Sequence, residues 1–209
     1  MATMQTTTER AVGEGTRHAP EAPVGRTTGW WGMVLFICTE AATFAAFLAS
    51  YFYIRFAGEG AWPPLAERLP GLTLPSIGTG ILVVSCLPMA GAVRAAPRGH
   101  RGRLTVGVLV SLLLGCGFVA LQLLDWKAEW PDSTISKDAY GSLFYTITAL
   151  HTIHVVVGLF MLAVLVASAL LGRIGSRRPE PVGIVALYWY FMAVLAVAVY
   201  VTVYISPYL

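Results

Sequence analysis

Five stretches of the chain are almost wholly apolar, and short segments rich in glycine, proline and charge separate them. A helix needs about 20 mostly apolar residues to cross the hydrocarbon of a bilayer. The pattern predicts spanning helices over about residues 30–56, 72–96, 104–126, 139–171 and 182–206. No alternation of period two competes with the helical reading, and no internal repeat is present. Pro88 lies inside the second span and predicts a kink, which is tolerable where neighbouring helices satisfy the freed backbone groups. The fourth span is long enough to tilt or to project beyond the lipid. The expected fold class is all-α: an integral membrane five-helix bundle over residues 29–209. Residues 1–28 are polar, rich in Thr, Arg, Glu and Pro, and hold no apolar run of the kind found in a secretory signal. They are expected to form a disordered cytoplasmic tail.

Composition sharpens this picture. Of 209 residues, 56% are hydrophobic and 12% charged, about half the charge of a typical soluble domain. The cysteines Cys38, Cys86 and Cys116 are scattered through apolar runs with no C-x-x-C spacing. That excludes a cysteine-rich metal site and argues against a disulfide framework. Lys and Arg in the tail are too sparse for a nucleic-acid arm.

Charge sets the orientation. If the N-terminus is inside, the inner segments hold Arg10, Arg17, Arg26, Arg94, Arg98, Arg101, Arg103, Arg173, Arg177 and Arg178, against Arg55, Arg68, Lys127 and Lys137 outside. The excess of basic residues marks the cytoplasmic side, so the N-terminus is expected in the cytoplasm and the C-terminus outside. Trp30, Trp31, Trp62, Trp126, Trp130, Tyr140 and Tyr208 fall near span ends, where interfacial aromatics belong.

Ionisable groups within the spans are few, and each costs at least about 2.5–3.5 kcal/mol at the bilayer centre. Glu40 lies 11 residues past Gly29, or roughly 16 Å along a helix. It is expected to be neutral or paired. His151 and His154 form an H-x-x-H pair on one helix face, with His151 roughly 18 Å into the fourth span. The three groups share a depth and are expected to face one bundle interior, with Thr148 or Thr43 near them. Metal or haem ligation, a proton relay with Glu40, and interhelical hydrogen bonding or lipid contact are competing readings of the histidines. No other histidine lies in a span, since His18 and His100 fall in the tail and an inner segment. A transport path is disfavoured, because five spans without repeats do not build paired halves.

Gln122, Asp125 and Trp126 close the third span, and the position of Asp125 predicts an interfacial carboxylate. Tyr188, Trp189 and Tyr190 of the fifth span are expected to pack. The small residues Gly78, Gly80, Gly115, Gly117 and Gly158, with Ala41, Ala42, Ala45 and Ala46, allow close helix approach or docking to a larger partner.

Several of these segments together resemble subunit III of the haem–copper oxidases (cytochrome c oxidase) in its five-helix bacterial form, over about residues 29–206. Phe36-Ile37-Cys38-Thr39-Glu40 followed by Phe44 is similar to the family segment that ends on a buried carboxylate. Trp62-Pro63-Pro64 is similar to its W-P-P turn, and Gln122, Asp125 and Trp126 to its Q-x-x-E-[YW] ending, with Asp for Glu. Tyr140-Gly141-Ser142-Leu143-Phe144-Tyr145 resembles its Y-G-S-x-F-Y helix entry. His151, His154, Val155 and Gly158 match H-G-x-H-V-x-x-G, with Thr152 where Gly is common. The last span departs from Y-W-H-F-V-D-x-V-W: Tyr190 stands for the histidine and Ala193 for the acid.

The resemblance implies a non-catalytic subunit of a proton-translocating oxidase in a bacterial inner membrane. It implies no haem, copper or other metal in this chain, haem and copper in partner subunits, direct packing on subunit I alongside subunit II, and bound phospholipid. It implies support of proton uptake while oxygen is reduced to water. Under it Glu40 is the buried carboxylate, and His151, His154, Gln122, Asp125 and Trp126 are structural or lipid-contacting. A quinol oxidase subunit III and the accessory protein of a nitric oxide reductase are related alternatives, and a small transporter is a more distant one.

Overall fold

The computed structural model describes residues 26–58, 62, 69–129, 139–174 and 179–209. Helix α1 spans Thr28–Ala57, α2 Thr73–Val84, α3 Cys86–Ala95, α4 Arg101–Glu129, α5 Ala139–Leu170 and α6 Glu180–Val199. A π-helical turn, Tyr200–Ile205, and a short 3-10 turn, Ser206–Tyr208, continue α6. With α2 and α3 counted as one interrupted rod, five helices among the described residues are long and apolar enough to cross a membrane. Their ends differ from the expected spans by at most three residues. The Pro63-Pro64 turn, Arg68, Trp130, Lys137, Arg177 and Arg178 lie outside the described residues, as does the tail up to residue 25. The helix already begins within the expected tail, at Thr28, where the Thr27 hydroxyl accepts from the Trp30 N–H.

Proline sets the break in the second span. Pro88 has no N–H to give the Val84 carbonyl, and the helix is interrupted one turn earlier, at Ser85. That residue becomes a junction. Its hydroxyl donates to Leu82 O at 2.6 Å and accepts from Trp189 Nε1 at 2.9 Å. Its carbonyl accepts from Ser111 Oγ at 3.0 Å. The break thereby ties the α2–α3 rod to α4 and α6.

Helix α4 packs against α2, α3 and α5, and α6 against α5, α3, α2 and α1. Glycine permits the tightest approaches. A Cβ on Gly107 would stand 2.6 Å from the Pro88 carbonyl oxygen, so α3 and α4 meet backbone to backbone. Gly115 and Gly158 admit the Trp189 ring, and Gly78 faces Phe118. Gly80 and Gly117 look onto open space instead. One core gathers around Trp189, Leu82, Met89, Val108 and Leu162, and a second around Phe44, Tyr51, Phe144, Tyr188 and Met192.

Helix α1 joins through one stripe. Only Phe44 and Tyr51 of it are buried, and Ala41, Ala42, Ala45 and Ala46 are exposed. A chain of hydrogen bonds holds its C-terminal end: Trp62 Nε1 donates to Tyr51 OH (3.0 Å), Tyr51 OH lies 3.2 Å from Ser206 Oγ, and Arg55 Nη1 donates to Ser206 Oγ (2.7 Å).

Candidate functional site

Glu40 projects from the inner stripe of α1, one turn before Phe44, and meets α5. Its Oε2 lies 2.8 Å from His154 Nε2, with both side chains mostly covered. The other ring nitrogen of His154, Nδ1, is 2.7 Å from the Leu150 carbonyl oxygen of its own helix. A carbonyl only accepts, so Nδ1 carries a hydrogen. The 2.8 Å contact then holds one further proton, on Nε2 beside a carboxylate or on the carboxyl beside a neutral ring. The contact gives the acid and the imidazole a polar partner inside an apolar bundle. Tyr188 OH donates to the His154 carbonyl at 2.9 Å and fixes α6 to the same turn.

His151 sits one turn away and differs. It is buried, and neither ring nitrogen has a hydrogen-bond partner among the described residues. Phe44 and Phe118 flank it edge to face, at 6.3 and 5.7 Å between ring centroids. Phe44 also contacts the His154 ring, at 5.4 Å. The structure therefore brings together Glu40 and His154 and leaves His151 among aromatic rings. Thr43 is exposed and donates to Thr39 O, and Thr148 belongs to another group, so neither joins the pair.

Asp125, one turn before the end of α4, is buried against neighbouring helices. Helix α4 runs a further turn to Glu129, and the π-helical turn of the last span presents Tyr204, whose OH donates to Asp125 Oδ2 at 2.5 Å. Gln122 Nε2 reaches Tyr204 OH at 3.2 Å and Asp125 Oδ2 at 3.4 Å. Trp126 Nε1 donates to Thr148 Oγ1 at 3.1 Å, linking α4 to α5. Sequence reasoning did not single out Tyr204, Ser85 or Ser111. Hydroxyls inside apolar spans were the available signal, since such groups seek partners across helices.

Among the described residues, no group of three or more His, Cys, Asp or Glu side chains is placed to hold a metal ion. Cys38, Cys86 and Cys116 are free.

The sequence profile of the cytochrome c oxidase subunit III family matches residues 1–208. The chain belongs to that family. Curated proteins named cytochrome c oxidase subunit 3 are similar to it. That of Tachyglossus aculeatus aculeatus is 29% identical over 198 residues, which cover 92% of this chain and 75% of the relative. That of Rattus norvegicus is 29% identical over 196 residues, 91% and 74% of the two chains. That of Pongo abelii is 32% identical over 179 residues, 83% and 68%. Within this subunit III chain, the positions that depart from the family pattern in the last span are accommodated by packing. Tyr190 packs half-buried against the core around Trp189, and Ala193 is buried.

Proposed function

We propose that this chain is the non-catalytic subunit III of an aerobic respiratory haem–copper oxidase. It packs directly on subunit I, alongside subunit II, in a bacterial inner membrane, with its N-terminus in the cytoplasm and its C-terminus outside. Haem and copper reside in the partner subunits. This chain stabilises subunit I, binds phospholipid and supports proton uptake as oxygen is reduced to water. The observation that carries the reading is the Glu40–His154 contact at 2.8 Å in a subunit III chain. A pair holding one exchangeable proton, joined across two helices, is suited to taking up and releasing that proton with little movement. The uneven distribution of arginines supports the orientation.

The test is gentle detergent purification through this chain, followed by an optical spectrum. The expected result is a co-purifying large membrane subunit with reduced-minus-oxidised haem bands. A preparation with neither would overturn the assignment.

A further inference from the structure

Helices α1 and α5 run antiparallel, and three contacts set their register. Glu40 meets His154, Phe44 lies against His151, and Tyr51 lies against Tyr140. His154 is the fixed member of the acid–imidazole pair. Its Nδ1 faces the Leu150 carbonyl and its own carbonyl is held by Tyr188, which leaves Nε2 for exchange with Glu40. Glu40 is the movable member. Its carboxyl hangs on three side-chain torsions, and α1 gives only Phe44 and Tyr51 to the core. His151 stands one turn along the same face of α5, roughly 4.5 Å nearer the start of that helix. It is 3% exposed, and both ring nitrogens lack a partner among the described residues. The hydroxyls of Thr148 and Thr152 spend their hydrogens on the Phe144 and Thr148 carbonyls, and the Gln122 amide faces Tyr204 and Asp125. The Phe44 ring touches both imidazoles, at 5.4 Å from that of His154 and 6.3 Å from that of His151, and covers His151 on the α1 side.

We propose that His151 is a second station for the proton of the Glu40–His154 pair. The Glu40 carboxyl leaves His154, passes Phe44 and hands its proton to a free ring nitrogen of His151. In this step the Glu40 O–H bond breaks and an N–H bond forms on His151. Glu40 becomes a carboxylate beside an imidazolium, His154 stays neutral with its hydrogen on Nδ1, and the net charge of the three groups does not change. The reverse step returns the proton. Charge is separated only between neighbours, which keeps the hand-off affordable in an apolar bundle. Phe44 is the screen: with the ring in place the carboxyl rests on His154, and when the ring turns aside His151 is within its reach. The proposal rests on the reading that the pair takes up and releases a proton, and it names where that proton goes next.

The test reads the carboxyl of Glu40 by infrared spectroscopy, in the full chain purified with the subunits that accompany it. The Glu40 band is the one lost in Glu40→Gln. With His154 intact, His151→Leu leaves that band in place. In His154→Leu the carboxyl turns to His151, and the band is that of a hydrogen-bonded or ionised group. Adding His151→Leu to His154→Leu shifts it to the band of a free carboxylic acid. An identical Glu40 band in His154→Leu with and without His151 would overturn the proposal and leave His151 a packing residue. Phe44→Leu keeps His154, lowers the screen and keeps the test decisive if the doubly substituted chain fails to fold. It is expected to give two Glu40 bands, one of which disappears when His151→Leu is added. A single unchanged band in Phe44→Leu would equally overturn the hand-off. Haem in the same preparation is read separately, from its visible spectrum. Shifted Glu40 bands without haem would retire the oxidase reading and keep the second station, and haem with unshifted bands would do the reverse.

Discussion

Trp189 reaches across the bundle to Ser85, its indole N–H donating to the serine hydroxyl at 2.9 Å where the second span is broken. The ring is fully buried and rests on Gly115 and Gly158. A Cβ at Gly115 would lie 2.6 Å from the indole Cη2 and 2.7 Å from Leu159 Cδ2. Gly115→Ala therefore overpacks this contact and is expected to cost about 1–3 kcal/mol. Gly117→Ala, two residues on and facing open space, costs nothing measurable. Thermal unfolding midpoints of the two variants in one detergent check the contrast, and equal midpoints would count against the Trp189 junction.

The Glu40–His154 contact makes a second prediction. His154→Leu strands a carboxyl group deep in the bundle, and Glu40→Leu strands an imidazole. Replacing both removes the need for either partner. Interhelical polar pairs in membranes are worth about 0.6 kcal/mol on average and about 1.7 at most. The double-mutant cycle is expected to give a coupling of about 0.5–2 kcal/mol, with the double variant more stable than the sum of the single losses implies. Reversible unfolding in mixed micelles measures it. A coupling of zero would mean that the two groups do not share a proton.

Much of this arrangement is legible in the chain itself. The spans are legible because length and apolarity alone decide them. Pro88 announces an interruption, although the break falls at Ser85, since the bond that proline loses belongs to a carbonyl one turn back. Counting from the span ends places Glu40 and the histidines at one depth. Rotation about the helix axis is another matter. Spans that are apolar all round carry little periodic signal, so nothing in the sequence separates His154, which meets Glu40, from His151, which does not. The packing of Asp125 is illegible in the sequence for a related reason. Its partner Tyr204 is 79 residues away, and a π-helical turn that no sequence pattern marks delivers it.

Tyr204 supplies the third prediction. Its hydroxyl donates to Asp125 and accepts from Gln122 in a buried cluster. Tyr204→Phe keeps the ring and its contacts with Phe144 and Tyr200 but withdraws the hydroxyl. A buried acceptor deprived of its donor costs about 1–3 kcal/mol. Asp125→Asn, made in the Tyr204→Phe background, relieves part of that cost because an amide supplies its own donors. Thermal midpoints of the single and double variants test this. If Asp125→Asn lowers stability equally in both backgrounds, the two residues are not coupled.

His151 invites the opposite expectation. A buried imidazole whose two nitrogens lack partners among the described residues loses its hydrogen bonds to water on insertion and regains none from them. Its contacts are with the edges and faces of Phe44 and Phe118, which an aliphatic side chain of similar size meets equally well. His151→Leu is therefore expected to leave stability unchanged or to raise it, by up to about 1–3 kcal/mol. His154→Leu, three residues later on the same helix, lowers it. The sign of the difference between the two histidines, read from unfolding midpoints under identical conditions, is the discriminating quantity. If His151→Leu proves the more damaging of the two, the imidazole makes a polar contact that outweighs the Glu40 pair, and the division of roles between neighbouring turns of α5 is reversed.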